Sequence, residues 1–225
     1  MYLEQNIRGL CDTFGLDFDS FLDELDVEHA NELSVYDLEA IAEEYNVDIN
    51  ALLFKNPFKP GALKSKLDKI KLLILDVDGV MTDGGMYFTE SGDQFKKFNT
   101  KDGMAIIHLT KSDFQVAIIS SGFKGEAVQR RAEMLGIQHC TVSRAPKLDT
   151  LRSICATLNI DLENVAMIGD DINDLEVMRN IGIAACPKNA VNSVKKECEI
   201  ILTLNGGEGC VREFIDQYIL QESLN

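Results

Sequence analysis

The chain has 225 residues, of which 45% are hydrophobic and 26% are charged. This balance supplies enough apolar side chains for a buried core and excludes a wholly disordered chain. The net charge is −15, so the surface as a whole repels nucleic acid and anionic lipid, and we expect neither as a partner. The longest apolar runs are too short to span a membrane, and the first residues lack the pattern of a signal peptide.

The six cysteines are scattered along the chain and form no C-x-x-C pair. Several lie in apolar or helical stretches, which favours buried free thiols over a disulfide framework. The three histidines have no ligand-like spacing, so a zinc site is not indicated. We therefore expect a cytoplasmic protein.

Charge divides the chain into two parts. Residues 1–60 contain 14 Asp and Glu against 3 Lys and Arg, a net charge of −11, whereas the remaining residues have a net charge of −4. The segment KNPFKPGALKSK marks the change, and its Pro, Gly and Lys content is typical of a linker. We predict a small all-helical acidic domain at 1–56, a linker at 57–70 and a larger domain at 71–225.

The acidic domain has apolar residues at the three- and four-residue spacing of helices between positions 10 and 25. Ser34 and Asp37 have the pattern of a helix N-cap pair, and NVDINALLF predicts a short last helix. The segment SVYDLEAIAEEYNVDINALL resembles part of a Cro/C1-type helix-turn-helix domain, but residues 9–54 contain no Lys or Arg to bind phosphates. We therefore expect a protein-contact or structural module rather than a DNA reader.

From residue 71 onward, apolar strand-like runs alternate with helical stretches. The runs are KLLILDV, FQVAIIS, NVAMIG, IGIAAC and EIILTL, and the helices are predicted near 102–112, 124–135, 147–158, 172–180 and 208–221. This alternation predicts an α/β fold with a doubly wound parallel sheet. After the first strand, aromatic and polar residues alternate around residues 90–93, which predicts a β-hairpin.

Two acidic residues, Asp76 and Asp78, follow the first predicted strand, and Gly79 comes directly after them. The carboxyl ends of parallel strands form the ligand crevice of such a sheet, where two carboxylates can hold a hard cation. One of them could also attack phosphorus, as in aspartyl-phosphate enzymes. Taken alone, the pattern is equally consistent with an Asp-rich surface turn.

A second acidic cluster, GDDIND, follows the predicted strand NVAMIG and contains Asp170, Asp171 and Asp174. On its own this cluster could cap a helix, but together with the first it would form a Mg²⁺ site. Between the clusters, a Ser-Gly loop after a strand and Lys147 at a helix start offer groups that bind phosphate. Each of these two signals is weak alone, since Ser-Gly loops are usually turns and lysines are usually solvated.

The order of these motifs resembles that of the haloacid dehalogenase (HAD) superfamily of phosphohydrolases. Within residues 71–225, the stretches LLILDVDGVMTDG, FKKFNTKDG, RRAEMLGI, GDDIND and GGEGCVREF are similar to the 3-deoxy-D-manno-octulosonate 8-phosphate phosphatase family, which includes phosphatases of nine-carbon sugar acids. The resemblance implies a HAD-like Rossmannoid fold in which a β-hairpin flap takes the place of a large cap. It also implies a homotetramer whose active sites are completed by a neighbouring subunit.

The resemblance implies a role for each matching residue. Asp76 would be the nucleophile and a magnesium ligand. Asp78 would be the general acid and then the general base, with its backbone carbonyl on magnesium. Asp170 would be the third protein ligand, and Lys147 would neutralise the phosphoryl group.

The phosphate would be held by a serine of the Ser-Gly loop. The strand side of this motif favours Ser120 and the helix side favours Ser121; we prefer Ser121, because the Ser-Gly pair keeps a backbone N–H donor. Asp171 would orient water or Lys147, and Asp174 would likewise act on the residues of the site and not directly on the substrate. The remaining matches imply substrate contacts at Asn99, Lys101, Asp102, Gly103 and Arg131.

One position departs from the family. Phe123 stands where the octulosonate phosphatases carry an Arg that helps to recognise the sugar-acid carboxylate. An aromatic ring cannot make that bidentate pair. The resemblance therefore supports the phosphatase chemistry better than it supports the eight-carbon substrate.

We expect a Mg²⁺-dependent phosphatase that acts through an aspartyl-phosphate on a 2-keto-3-deoxy sugar acid, either octulosonate 8-phosphate or a nine-carbon sialic-type acid 9-phosphate. The alternatives are a phospho-acceptor signalling domain and a HAD-like binding or regulatory protein without physiological sugar-phosphate turnover. A receiver domain carries its acidic pair before the phosphorylated Asp and lacks DxD, whereas here the DxD comes first. A binding scaffold would need a lost motif, and all four motifs are present.

Overall fold

A computed structural model describes residues 3–45, 47–54, 62–91, 94–122 and 125–220 of the chain. The chain divides into two compact units, Met1–Ser65 and Lys66–Asn225. Of the predicted linker, residues 57–61 lie outside the described part, and Ala62–Leu67 form a helix, α5. None of the helices in the described ranges combines the length and the apolar character that a membrane span requires.

The first unit is helical, as predicted. Its elements are α1 (Leu3–Phe14), α2 (Phe18–Glu24), a 3₁₀ turn (Ala30–Glu32), α3 (Val35–Glu44) and α4 (Ile49–Phe54). The predicted N-cap pair is confirmed, because Ser34 Oγ accepts the backbone N–H of Asp37 at 3.2 Å and Asp37 Oδ2 accepts that of Ser34 at 2.8 Å. Leu10, Leu38 and Leu52 pack in a core of this unit's own.

The second unit is built around a six-stranded parallel sheet, so the predicted fold class is confirmed. Its strands are β1 (Leu72–Leu75), β4 (Gln115–Ser120), β5 (His139–Val142), β6 (Val165–Ile168), β7 (Ile183–Cys186) and β8 (Ile200–Ile201). The strand order is β5-β4-β1-β6-β7-β8, which puts β1 between the two halves of the sheet. The register pairs Leu75 with both Ile118 and Ile168, so the residues after β1 and β6 emerge side by side.

Helices pack on the sheet and bury its apolar strands. They are α6 (Thr100–Thr110), α7 (Glu126–Leu135), α8 (Lys147–Leu158), α9 (Leu175–Met178), α10 (Asn192–Lys195) and α11 (Cys210–Phe214), which Ile215–Ile219 continue. Leu72 and Ile74 share one core cluster with Leu148 and Leu151 of α8. Because side chains alternate along a strand, the neighbouring residues of β1 face the opposite side of the sheet.

The predicted hairpin is confirmed, but one strand of the six-stranded sheet was not predicted. The predicted hairpin is present as β2 (Tyr87–Phe88) paired antiparallel with β3 (Gln94–Phe95), while residues 92 and 93 of its turn lie outside the described residues. Strand β5 is absent from the sequence-based prediction. Its four residues are all only partly buried, so HCTV lacks the apolar run by which the other strands were identified.

We expect the intact protein to show no affinity for random duplex DNA at low salt. Each phosphate contact needs a cation, and residues 9–54 contain none. A gel-shift titration measures this directly. A retarded complex at micromolar protein that disappears as salt is added would contradict the prediction.

Candidate active site

The first acidic pair lies where β1 ends. The four residues of β1 are fully buried, and Asp76 follows them with 4% of its surface exposed. Its backbone N–H donates to the carbonyl of Ile168, which ties the end of β1 to β6. Gly79 has φ of 89° in the turn that follows, and a Cβ at this position would collide with the Asp170 carboxylate. Glycine is therefore required for the two acidic loops to approach.

The second acidic cluster lies at the end of β6 and meets the first. Carboxylate oxygens of Asp76, Asp170 and Asp174 all lie within 4.8 Å of one another. Asp174 is fully buried and ends the 3₁₀ turn Ile172–Asp174. One of its oxygens accepts the backbone N–H groups of Asp170 and Asp171, at 3.0 and 3.4 Å. This loop is thus held by its own last carboxylate.

Lys147 begins α8 and is 5% exposed. Its ammonium lies 2.9 Å from Asp76 Oδ1 and 2.6 Å from Asp174 Oδ1. Asp171 was predicted to orient Lys147 or water, but Asp174 holds the lysine, while Asp171 is exposed and its Oδ1 accepts the N–H of Ile172 at 2.7 Å. Lys147 is therefore fixed between the two acidic loops.

Burial dominates the electrostatics of the cluster. It raises the pKa of Asp76 to about 6 and that of Asp170 to about 7, with further increases from the neighbouring carboxylates. For Lys147, burial lowers the pKa, but the charges of Asp76 and Asp174 outweigh it and the net pKa is raised. Three carboxylates beside one ammonium leave an excess of negative charge.

The donor set fits a hard divalent cation. Asp170 Oδ1 is buried without a hydrogen-bond partner among the described residues, which is costly for a carboxylate unless a cation meets it. Both oxygens of Asp174 are already used by Lys147 and by backbone N–H groups. Asp76 and Asp170 therefore have the oxygens that are left for a metal, and oxygen ligands are those preferred by Mg²⁺.

Two adjoining cavities lie at this edge of the sheet, and one of them is lined by Asp76 and Asp170. The acidic cavity, of about 140 Å³, is lined by Asp76, Asp78, Ser120, Ser121, Asp170, Asp171 and Asn173. The hairpin cavity, of about 380 Å³, is lined by Asp78, Gly84, Met86, Phe88, Gln94, Lys96, Ser120, Ser121, Gly122, Val128 and Val142. Both serines line both cavities, so the choice between them stays open; Ser120 is buried, and Ser121 is exposed and lies 3.4 Å from the Asn173 amide.

The other predicted substrate residues lie where α6 contacts α7 and residues 207–212. Asn99 caps α6 through the N–H of Lys101 at 2.8 Å, and its amide donates to the carbonyl of Gly207 at 3.1 Å. Asp102 Oδ1 accepts the backbone N–H of Arg212 at 2.8 Å. The Arg131 guanidinium lies close over Gly103 and 3.4 Å from the carbonyl of Asn99. None of these five predicted residues lines either cavity, and their contact with substrate stays a prediction. Phe123 lies outside the described residues.

Comparisons with known proteins agree with this geometry. Residues 136–215 match the haloacid dehalogenase-like hydrolase family. The chain is 37% identical over 158 residues to the 3-deoxy-D-manno-octulosonate 8-phosphate phosphatase of Escherichia coli strain K12, which covers 70% of this chain and 84% of that protein.

Solved phosphatase structures are similar to this chain in both sequence and fold. The Yersinia pestis 3-deoxy-D-manno-octulosonate 8-phosphate phosphatase is 37% identical with a TM-score of 0.68, over 71% of this chain and 85% of that one. The Moraxella catarrhalis enzyme, crystallised with a magnesium ion, a phosphate ion and a KDO molecule, is 33% identical with a TM-score of 0.68, over 72% and 92%.

The chain belongs to this phosphatase family of HAD-like hydrolases. It is accordingly a phosphoric monoester hydrolase. The predictions of the superfamily, the fold and the enzyme class are confirmed.

Sequence reasoning assigned no role to the residues in two parts of this phosphatase's site. Lys96 follows β3 and forms an ion pair with Asp78 Oδ1. The stretch FKKFN carries part of the family resemblance, but its sequence alone does not show which of its two lysines points into the site. The backbone of residues 206–209 (GGEG) lies against the turn that contains Gly79. A Cβ at Gly206 would collide with the carbonyl of Gly79. Its paired glycines were the available signal of a close backbone approach.

Asp102 generates a prediction about pH. Burial raises its pKa to about 6, and the N–H of Arg212 with the nearby arginines offsets this only partly. Between the ordinary Asp pKa of about 3.9 in the unfolded chain and the raised pKa in the folded protein, the unfolded state releases the proton while the folded state keeps it. Stability therefore falls as pH rises across this window and stays lower above it. Asp102→Asn keeps the acceptor for Arg212 and removes this cost. We expect its free energy of unfolding, relative to wild type, to rise by roughly 1 kcal/mol between about pH 5 and about pH 8.

Denaturant unfolding at the two pH values measures this difference. Asp113→Asn, which changes an exposed carboxyl just after the same helix, is the control and should show no such trend. An Asp102→Asn difference that does not vary with pH would contradict the assignment of a raised pKa to Asp102.

Proposed function

We propose that this enzyme hydrolyses the phosphate monoester of a 2-keto-3-deoxy sugar acid, either 3-deoxy-D-manno-octulosonate 8-phosphate or a nine-carbon sugar acid 9-phosphate, with Mg²⁺. The observation that carries the proposal is that Asp76 and Asp170 line one cavity, with the Lys147 ammonium held against Asp76, and that this cavity adjoins a second, larger one. The relatives named for octulosonate 8-phosphate and the Moraxella enzyme crystallised with KDO support the substrate class.

The two cavities suggest where the parts of the substrate bind. The acidic cavity, of about 140 Å³, has room for a phosphoryl group and a few water molecules. The hairpin cavity falls in the volume range of small-molecule sites. Asp78, Ser120 and Ser121 line both, which supports placing the ester oxygen between the cavities and beside Asp78.

We assign the metal to the side chains of Asp76 and Asp170 and to the backbone carbonyl of Asp78. When bound, Mg²⁺ supplies positive charge that neutralises the phosphoryl oxygens and the excess negative charge of the cluster. Lys147 adds a fixed cation on the Asp76 side, and Asp174 keeps that ammonium in place.

In the first half of the reaction, a carboxylate oxygen of Asp76 attacks phosphorus in line with the sugar oxygen. The new Asp76 O–P bond forms as the bond from phosphorus to the sugar oxygen breaks. Asp78 donates a proton to the departing alkoxide. A serine hydroxyl and the backbone of the loop after β4 hold the phosphoryl oxygens during the transfer.

In the second half, water attacks the phosphorus of the aspartyl-phosphate. Asp78, now a carboxylate, takes the proton from this water, and the Asp76 O–P bond breaks to release inorganic phosphate. Dividing the hydrolysis into two transfers lowers the barrier of a reaction that is extremely slow in water. Asp78 returns to its starting protonation state.

We also propose an oligomeric state, a cellular location and a protein-contact surface. The exposed apolar side chains of the hairpin, Met86, Tyr87, Phe88 and Phe95, support a homotetramer in which a neighbouring subunit covers this face. Six free thiols support a reducing, cytoplasmic location. Exposed Tyr36 and Phe54 of the acidic unit support a protein contact there.

Asp76→Asn tests the nucleophile. The change is nearly isosteric, keeps an oxygen for Lys147 and leaves Asp174 as its charged partner, so we expect a folded protein with a loss of at least about 10³-fold in kcat. Steady-state phosphate release measures it, with Asp149→Asn on the exposed face of α8 as the matched control. Retention of more than a tenth of the turnover would contradict the role of Asp76.

Metal removal tests the cation assignment. Excess EDTA should abolish turnover and Mg²⁺ should restore it, while Ca²⁺ should inhibit because it prefers more ligands and looser geometry. Asp170→Asn removes one anionic ligand and should raise the Mg²⁺ concentration for half-activation at least about tenfold. Full activity in EDTA, or an unchanged Mg²⁺ requirement in Asp170→Asn, would contradict the assignment.

A further inference from the structure

A sugar-acid leaving group brings a carboxylate into the hairpin cavity, and a carboxylate removed from water needs a cation or several hydrogen-bond donors. Most of the cavity lining is apolar or neutral, with Met86, Phe88, Val128 and Val142 among its residues. Among the described lining residues, Lys96 is the one that carries a positive charge. The anion of the leaving group therefore has one evident partner.

The orientation of Lys96 is set by the hairpin. It directly follows β3, and extended residues point alternately to opposite sides. The Lys96 side chain is 7% exposed and points into the site, whereas the Lys97 side chain is 72% exposed and lies 3.6 Å from Asp83. The two adjacent lysines thus differ in environment although they share the same segment.

Lys96 has unused hydrogen-bonding capacity. Its ammonium is ion-paired with Asp78 Oδ1, which is its one ion-pair or hydrogen-bond partner within the described ranges. An ammonium has three N–H donors, so this pair leaves donors for a second anion. The partner is also the residue proposed to protonate the ester oxygen. An anion bound to Lys96 would therefore lie next to the reacting group.

We propose that Lys96 binds the carboxylate of the leaving sugar acid and so selects phosphate esters of sugar acids over those of uncharged sugars. This role rests on the proposed function and identifies the residue that reads its substrate class. Lys96 contacts the sugar acid, which is the part of the substrate that does not react. Apart from Lys96 and Asp78, the residues that line the hairpin cavity are apolar or neutral. Its ion pair with Asp78 holds the ammonium at the mouth shared by both cavities.

The test compares kcat/KM on two esters in the full-length enzyme with Mg²⁺. One ester is octulosonate 8-phosphate, the acid ester, and the other is arabinose 5-phosphate, which we call the neutral ester because its sugar carries no carboxylate. Lys96→Met should lower the ratio of kcat/KM for the acid ester to kcat/KM for the neutral ester by at least about tenfold, since a hydrogen bond to a charged group is lost only with the acid ester. Loss of the ion pair with Asp78 affects both esters and cancels in this ratio. Lys96→Arg should keep most of the selectivity.

Two control variants sharpen the comparison. Lys97→Met alters the neighbouring exposed lysine and should leave both esters unchanged. Lys124→Met alters a cation that lies outside the described residues and should not change the ratio of the two kcat/KM values. Equal losses on both esters in Lys96→Met would show that the lysine acts only through Asp78 and would overturn the proposal, as would a selective loss in Lys124→Met alone.

The outcomes separate this proposal from the proposed function. If wild type turns over octulosonate and nine-carbon acid phosphates and Lys96→Met keeps its preference for them, the role of Lys96 is wrong and the function stands. If wild type turns over no sugar-acid phosphate, the proposed function fails and the role of Lys96 fails with it. Turnover of the neutral ester also reports that the Lys96→Met site is intact.

Discussion

The buried ion cluster of Asp76, Lys147 and Asp174 is the interaction on which the rest of the site depends. It joins the ends of β1 and β6 to the start of α8, where nearly all of each side chain is removed from water. Breaking a buried ion pair by removing one partner costs several kcal/mol, because the other charge remains buried. The cluster is also incomplete, since Asp170 Oδ1 has no partner among the described residues. The arrangement that fixes the acidic loops is therefore one that favours a bound cation.

The position of β1 in the sheet explains why these groups meet. It lies between β4 and β6, and all pairs are parallel, so three consecutive carboxyl ends converge on one edge. Asp76, Ser120 and Asp170 follow or end these strands. The hairpin lies over the same edge and supplies one wall of the larger cavity. Our proposals thus place the chemistry at this edge of the sheet and the selection among substrates at the hairpin.

Sequence patterns were sufficient where a property is local. Buried strands gave apolar runs, and acidic residues directly after them predicted the meeting of Asp76 with Asp170. The strand β5 was not predicted because its residues are partly buried and its pairing with β4 is non-local. Asp174, and not Asp171, holds Lys147, and the sequence could not show this because it depends on how a 3₁₀ turn directs each carboxylate. Lys96 needed the register of the hairpin, which a two-residue strand does not encode in its sequence.

The central claim is that Asp76 becomes covalently phosphorylated during turnover. Rapid acid quenching of the enzyme with its sugar-acid phosphate, followed by borohydride reduction and peptide mass analysis, tests it most directly. Reduction converts an aspartyl-phosphate into homoserine, so the account predicts homoserine at position 76 and unmodified aspartate at position 78. Homoserine at another position, or complete turnover with unmodified Asp76 at every quench time, would contradict it.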